Sequence, residues 1–511
     1  MGKNRKIRKT PDYANRFATI LFVATLVNLF LYLLPEKFLG LTIKKVDLFS
    51  DIRKDDEGNL LASDEGIEDI PFIADIQGSS DINPAVNLPG ENIKTILFPE
   101  NETGKKTEKT GSSKEDSDNE TLDSSDDTDF DRNDISNKDI EDFSSSHSGL
   151  RRFFAALNNI DNLKRPVRIA FVGDSFIEGD IIVADFRAKM QERFGGRGVG
   201  FIPVTSNVSQ FRPTVKQSAE GWNTYSIIKN KKQRYALSGL LFESKSDDAS
   251  INFKNVDMYP GLKEVSLLKI IYVNSENTEV EISDNEEKGG LIYDLPATSG
   301  EIKQFEVRGT FSGAEIKFRN AEGLQALGLA LEDNSGVVVD NLSLRGNTGM
   351  VMTEIDGDWC RELQRIRPYD LIVLQYGLNV ASDSTREYSW YRRQMITVIQ
   401  HIKNSFPGAD VMLLGVSDRS TKKGNGYTTM PSVISLLRTQ RQTAKDAEIA
   451  FWNIFAAMGG QNSMVQFVKA NKASKDYTHL SFKGGREIAN AFYDALLQEK
   501  RMYDGDEKLI K

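Results

Sequence analysis

Ser175 and His479 are the two residues of this chain best suited to chemistry. The sequence contains only three histidines, and one of them closes Asp476-Tyr477-Thr478-His479 near the C-terminus. Far upstream, Gly173-Asp174-Ser175 directly follows an apolar run. A serine nucleophile needs a base. An imidazole base needs a third group to hold its tautomer and bear its developing positive charge. Ser175, His479 and Asp476 are candidates for all three roles, and the scarcity of histidine leaves the base few competitors. His147 belongs to a polar stretch, and His401 falls in the middle of a helical pattern. The single cysteine, Cys360, lies on an apolar helix and reads as packing. One cysteine excludes an internal disulfide framework and a Cys/His zinc cluster. No metal or organic cofactor is expected.

These residues must be positioned by the elements around them. A short apolar strand is predicted over 167–172, ending just before Ser175. An amphipathic helix is predicted over 181–194, with Asp180 as its N-cap. A helix precedes the strand over 150–163, and Gly195, Gly196, Gly198 and Gly200 follow the second helix. From 205 to 340 the texture changes to short alternating runs separated by Gly, Asn and Asp, which predicts an inserted β-sandwich. From 341 to 500 strands and helices alternate again. Strands are expected at 370–375, 410–416 and 449–453, and helices at 359–366, 389–406, 431–445 and 482–498. This alternation predicts an α/β fold with a mostly parallel sheet covered on both faces. Sites in such sheets form at the carboxyl ends of strands. Ser175 and Asn379 both stand just past a predicted strand end.

The N-terminus reads as a membrane anchor. Lys3, Arg5, Lys6, Arg8, Lys9 and Arg16 lie in a basic tail over 1–16, ahead of an apolar run over 17–34. As a helix that run rises about 27 Å, close to a bilayer core of about 30 Å. No small-residue cleavage site follows, so an uncleaved signal anchor is expected, with a removed secretory signal as the alternative. The basic flank places the N-terminus in the cytoplasm and the rest of the chain outside it. Residues 35–148 read as an extracytoplasmic tether, acidic and largely disordered from about 101, because too few apolar residues are present to offset the ordering entropy. Residues 149–204 and 341–500 form the two parts of the α/β domain, and 501–511 a C-terminal tail. The net charge is −9. With no basic stripe, no nucleic-acid partner is expected.

With Gly173-Asp174-Ser175, Gly377-Leu378-Asn379 and Asp476-Tyr477-Thr478-His479 in this order, the chain resembles the SGNH, or GDSL-type, esterase and acylhydrolase superfamily. The fourth block is carried by Gly346 in Asn341-Leu342-Ser343-Leu344-Arg345-Gly346-Asn347, with Gly349 as a rival. The resemblance implies a three-layer, flavodoxin-like fold. It makes Ser175 the nucleophile, His479 the base and Asp476 its orienter. It assigns the oxyanion hole to the N–H groups of Ser175 and Gly346 and the side-chain amide of Asn379. The frequent Asp after the block Asn is Val380 here. The β insert between the first two blocks looks like that of bacterial peptidoglycan and polysaccharide O-acetylesterases, where it is carbohydrate-binding-like.

The candidate triad and the N-terminal anchor together lead to the expectation of a membrane-anchored serine esterase on the periplasmic side of the inner membrane, single-pass, and the resemblance implies that it removes O-acetyl groups from an envelope glycan. Two alternatives stay open. One is an O-acetyltransferase working with a membrane-bound O-acyltransferase partner. The other is a non-catalytic glycan-binding scaffold. Trp222, Tyr225 and Tyr235 are candidates for stacking on sugar rings, although sandwich aromatics are usually core. Glu178 and Asp180 stand close enough to Ser175 to touch substrate, although a capping role is the reading favoured for them. Arg345, beside Gly346, reads as a surface ion pair or a contact for an anionic glycan group.

Overall fold

The computed structural model describes residues 37–38, 41–42, 135–283 and 289–510. The apolar run at 17–34 and the acidic stretch up to residue 134 lie outside the described residues. Among the described residues no helix is long and apolar enough to cross a membrane. The chain divides into two units, Met1–Asp118 and Asn119–Lys511. In the first, Lys37–Phe38 pairs antiparallel with Leu41–Thr42.

The second unit is built on a parallel sheet. In chain order its elements are α1 (Arg151–Asn158), β1 (Val167–Gly173), α2 (Val183–Phe194), β2 (Val337–Ser343), α3 (Gly357–Ile366), β3 (Leu371–Gln375), α4 (Ser389–Ser405), β4 (Asp410–Gly415), α5 (Pro431–Asp446), β5 (Ala450–Asn453) and α6 (Phe482–Ile510). The strand order is 2-1-3-4-5, and all four pairings are parallel. This is the flavodoxin-like winding. Residues of β1, β3, β4 and β5 are buried on both faces, as expected for a sheet covered by helices on both sides. On one side Phe171, Phe186, Phe492 and Trp452 pack ring to ring and join β1, α2, α6 and β5.

Two antiparallel sheets are inserted between α2 and β2. One has the order 303–311, 265–273, 325–332, 240–244, 222–226, and the other 291–295, 278–283, 313–319, 249–255, 215–220. Strand Val265–Val273 is buried on both faces for a physical reason. Leu268, Ile270 and Tyr272 fill the core between the two antiparallel sheets, while the alternate residues Ile271 and Val273 join the core of the α/β domain. Charged groups are buried at the same junction. Glu332 accepts from Arg168 at 2.6 Å, Lys269 at 2.8 Å and Arg367 at 2.6 Å. Burial works against ionisation, yet these three cations hold the Glu332 carboxyl well below its ordinary range. Arg367 also clamps Asp340 at 2.7 Å, and Tyr369 donates to the same carboxylate at 2.8 Å.

The structure corrects five expectations. Residues 501–510, read as a C-terminal tail, continue α6, where the Tyr503 ring lies 5.5 Å from Phe154 and Asn158 Nδ2 donates to Asp504 Oδ1 at 2.9 Å. Residues 135–148, read as part of the tether, pack on the sheet. Glu141–Asp142 pairs antiparallel with β5, Arg441 binds Glu141 at 2.6 Å, and Trp452 Nε1 donates to the Lys138 carbonyl at 2.9 Å. The segment covers an otherwise open strand edge. Its acidic residues have partners distant in sequence, which composition does not show. Residues 337–340 were assigned to the insert, but Val337–Ser343 is the parallel partner of β1. Gly200–Ile202, assigned to the first part of the α/β domain, pairs with Leu329–Leu331 of the insert. Asp180 is no helix cap. It is fully buried at φ +66° and binds Arg187 at 3.1 Å, Arg212 at 2.9 Å and the Asn341 amide at 2.8 Å. Despite its burial, the two guanidinium groups hold its carboxyl well below the ordinary range.

Candidate active site

The register sets where the site forms. Gly173 pairs with Ser343 on one side and Gln375 on the other, so β1, β2 and β3 end level. Three segments leave this common edge: Asp174-Ser175, Leu344 to Asn347, and Gly377-Leu378-Asn379. The edge is also where the strand order reverses, the usual crevice of such sheets. Glycine is required at 173, because a Cβ there would lie 2.7 Å from the Gln375 carbonyl oxygen.

Ser175 is 7% exposed, and its Oγ lies 3.1 Å from His479 Nε2. On the far side of the ring, Nδ1 lies 2.6 Å from Asp476 Oδ2. The other carboxylate oxygen accepts from Ser474 Oγ at 2.5 Å, the Thr478 N–H at 2.8 Å and the His479 N–H at 3.0 Å. Burial alone would raise the Asp476 carboxyl, but the His479 hydrogen bond and the further donors hold it well below its ordinary range. The loop can bring residues three apart together because Tyr477 takes a left-handed backbone, φ +57°. An Ala473–Leu480 bridge and the Ser474 N–H to His479 carbonyl bond, 2.9 Å, clasp its ends. Folding thus joins a hydroxyl, an imidazole and a carboxylate across 304 positions.

Asn379 Nδ2 lies 3.2 Å from Asp174 Oδ2 and 3.1 Å from the Asn347 carbonyl oxygen. Asp174 is fully buried, and its other oxygen accepts from the Phe176 N–H at 2.9 Å. Burial pushes its carboxyl up to about 7, against the opposing pull of the Phe176 N–H, His479 and Asn379. The two candidate glycines differ. Gly349 N–H donates to Asn347 Oδ1 at 2.8 Å and so is occupied. Gly346 has φ +77°, and among the described residues neither its N–H nor that of Ser175 has a partner.

Several groups near these residues were not apparent from sequence. Arg419 Nη1 donates to the Leu378 and Ala381 carbonyls at 3.1 and 3.3 Å and so ties down the Asn379 turn. Burial lowers the guanidinium, and Asp476 and Asp383 oppose that shift. The available signal was its position four residues past the end of β4. Asn347 links the Gly346 segment to Asn379 and gave no signal. Glu178 and Arg345 form a close ion pair, both largely shielded from solvent. Trp222 is buried and packs edge-on against Phe318, and Tyr235 is buried with its hydroxyl on the Asn230 carbonyl. Tyr225 is half-buried. His401 Nε2 donates to the Ile355 carbonyl at 2.8 Å. Cys360 is buried, and burial pushes its thiol well up.

No protein-family model matches the sequence, and no curated protein matches it. The structure is similar to that of a peptidoglycan O-acetylesterase at 19% identity and a TM-score of 0.60, over 71% of this chain and 99% of that one. A family two carbohydrate esterase from Cellvibrio japonicus matches at 10% identity and a TM-score of 0.24, over 56% and 98% of the two chains. CsCBM6-3 from Clostridium stercorarium, solved with cellobiose, matches at 9% identity and a TM-score of 0.17, over 23% and 85%. The fold is thus the one seen in that peptidoglycan O-acetylesterase, a mostly parallel α/β sheet with an antiparallel β insert.

Proposed function

We propose that this protein is a serine esterase that removes O-acetyl groups from a cell-envelope glycan through an acyl-enzyme. The observation that carries the reading is the unbroken Ser175–His479–Asp476 line, together with the Asn379 amide and the Ser175 and Gly346 N–H groups, which have no partner among the described residues. Ser175 Oγ attacks the acetyl carbonyl carbon while His479 Nε2 takes its proton. Negative charge gathers on the former carbonyl oxygen, where the Ser175 and Gly346 N–H groups and Asn379 stabilise it. Asp476 bears the imidazolium charge and fixes the tautomer. Collapse breaks the ester C–O bond, and the imidazolium proton passes to the departing sugar oxygen. Water, deprotonated by His479, then attacks the acetyl-enzyme, and acetate leaves as Ser175 regains its proton.

The similarity to a peptidoglycan O-acetylesterase supports the acetyl and glycan parts of the reading. The basic tail and apolar run at the N-terminus support an anchored, periplasmic enzyme, single-pass in the inner membrane. A sugar hydroxyl in place of the second water would make the same acetyl-enzyme a transferase working with a membrane-bound acyl donor. A fluorophosphonate probe tests the chemistry. It should label the full chain and fail to label Ser175→Ala, and O-acetylated peptidoglycan should release acetate with the untreated wild type but not with Ser175→Ala or with the probe-labelled protein. A folded wild type that resists the probe would overturn the esterase reading.

A further inference from the structure

The hairpin after β4 carries an aromatic surface at the rim of the site. Strands Ser420–Lys423 and Gly426–Thr429 pair antiparallel, with Lys422 directly opposite Tyr427. The base of this hairpin is fastened to both loops of the site. The Ser420 N–H donates to the Tyr477 carbonyl at 3.0 Å, and Arg419, just before the hairpin, holds the Asn379 turn. On its other side, Thr428 Oγ1 and the Thr429 N–H donate to Asn462 Oδ1 at 2.9 and 3.0 Å.

Tyr427 stacks face to face on Tyr477, with ring centroids 3.7 Å apart and planes 11° from parallel. Tyr477 directly follows Asp476 and stands two residues before His479. The stack covers one face of Tyr427, yet the residue remains 43% exposed. A hairpin fastened at its base on both sides, with Tyr427 stacked on Tyr477, therefore presents a preorganised aromatic face beside His479. Aromatic faces bind the C–H faces of pyranose rings because both are flat and apolar. Little side-chain entropy is lost when the ring is already fixed. Directly opposite residues of an antiparallel pair project to the same face. Lys422 is exposed there and, among the described residues, forms no ion pair. Its ammonium suits a carboxylate carried by the bound sugar.

We propose that Tyr427, backed by Tyr477 and flanked by Lys422, is a glycan subsite that seats a carboxylate-bearing pyranose of the substrate glycan. This rests on the esterase reading for its orientation toward Ser175, but its binding test does not require turnover. The first measurement is binding of O-acetylated peptidoglycan oligosaccharides to full-length Ser175→Ala protein by calorimetry. Adding Tyr427→Ala should weaken binding about tenfold. Tyr427→Trp should restore it, and Lys422→Ala should weaken it less at high salt than at low salt. The second measurement is the ratio of kcat/KM on the oligosaccharides to kcat/KM on p-nitrophenyl acetate. Tyr427→Ala should lower that ratio about tenfold through KM. Equal binding with and without Tyr427, or an equal fall on both substrates, would overturn the subsite. Loss of turnover in wild type with intact, Tyr427-dependent binding would instead overturn the esterase reading and leave the subsite standing.

Discussion

The Asn379 amide has two hydrogens and, in the resting structure, two acceptors. One is the buried Asp174 carboxyl at 3.2 Å, and the other is the Asn347 carbonyl at 3.1 Å. With Asp174 holding one N–H, the other can leave a neutral carbonyl for the developing oxyanion. Hydrogen bonds to ionised acceptors are roughly twice as strong as neutral ones, so the gain appears mainly in the transition state. Asn379→Ala removes one of three donors. The expected loss is about 3 kcal/mol, or about 10²–10³ in kcat, with KM changed by no more than about twofold. The same change strips Asp174 of a donor that favours its charged form. It also leaves a buried acceptor unpaired, at a cost to stability of about 1–3 kcal/mol. Initial rates on p-nitrophenyl acetate over a range of concentrations separate kcat from KM, and urea unfolding reads the stability change. A variant that keeps kcat and loses only KM would show that Asn379 binds the ground state. That result would remove it from the oxyanion hole.

Two further outcomes follow from buried charge. Asp410 is 7% exposed and accepts from the Phe153 N–H at 2.9 Å, and burial pushes its carboxyl from 3.8 up to about 7. Between those values the native state binds more protons than the unfolded chain, so stability from this group is full below pH 4 and lost as pH rises through 7. Asp410→Asn keeps an acceptor and cannot ionise. Its urea stability relative to wild type should climb across that interval by up to about 4 kcal/mol, and a pH-independent difference would refute the argument. Arg367→Ala leaves Asp340 and Glu332 buried with less compensation and should cost about 3–5 kcal/mol in urea unfolding. Arg367→Lys should not restore it, because a lysine lacks the guanidinium fork that spans both carboxylates. A loss under about 1 kcal/mol would show that the network is not needed.

Much of this arrangement was legible in the sequence, for local reasons. The alternation of apolar runs located β1, β3, β4 and β5 to within a residue or two, because burial on both faces demands continuous apolar strands. The Asp476–His479 pair was visible because both members lie in one short loop. Where the reading failed, partner choice was at issue. Val337–Ser343 looks like any buried strand, and nothing in its own residues says whether it pairs with the insert or with β1. Glu141 and Asp142 look like part of a solvated acidic run until Arg441 and β5 are placed beside them. Asp180 has the residue type and position of a cap, yet Arg187 and Arg212 draw it inside.

The sequence by itself determined which functional groups exist, that a carboxylate and an imidazole share a loop, and that strands and helices alternate around an all-β insert. These are properties of periodicity and short spacing, which the backbone expresses locally. Only the tertiary structure decided that Ser175 Oγ lies 3.1 Å from His479, that Gly349 N–H is occupied while Gly346 N–H has no partner among the described residues, and that Tyr427 stacks on Tyr477. Local pattern reports whether a side chain is buried. Which group it meets there is set by the register and packing of segments hundreds of residues apart.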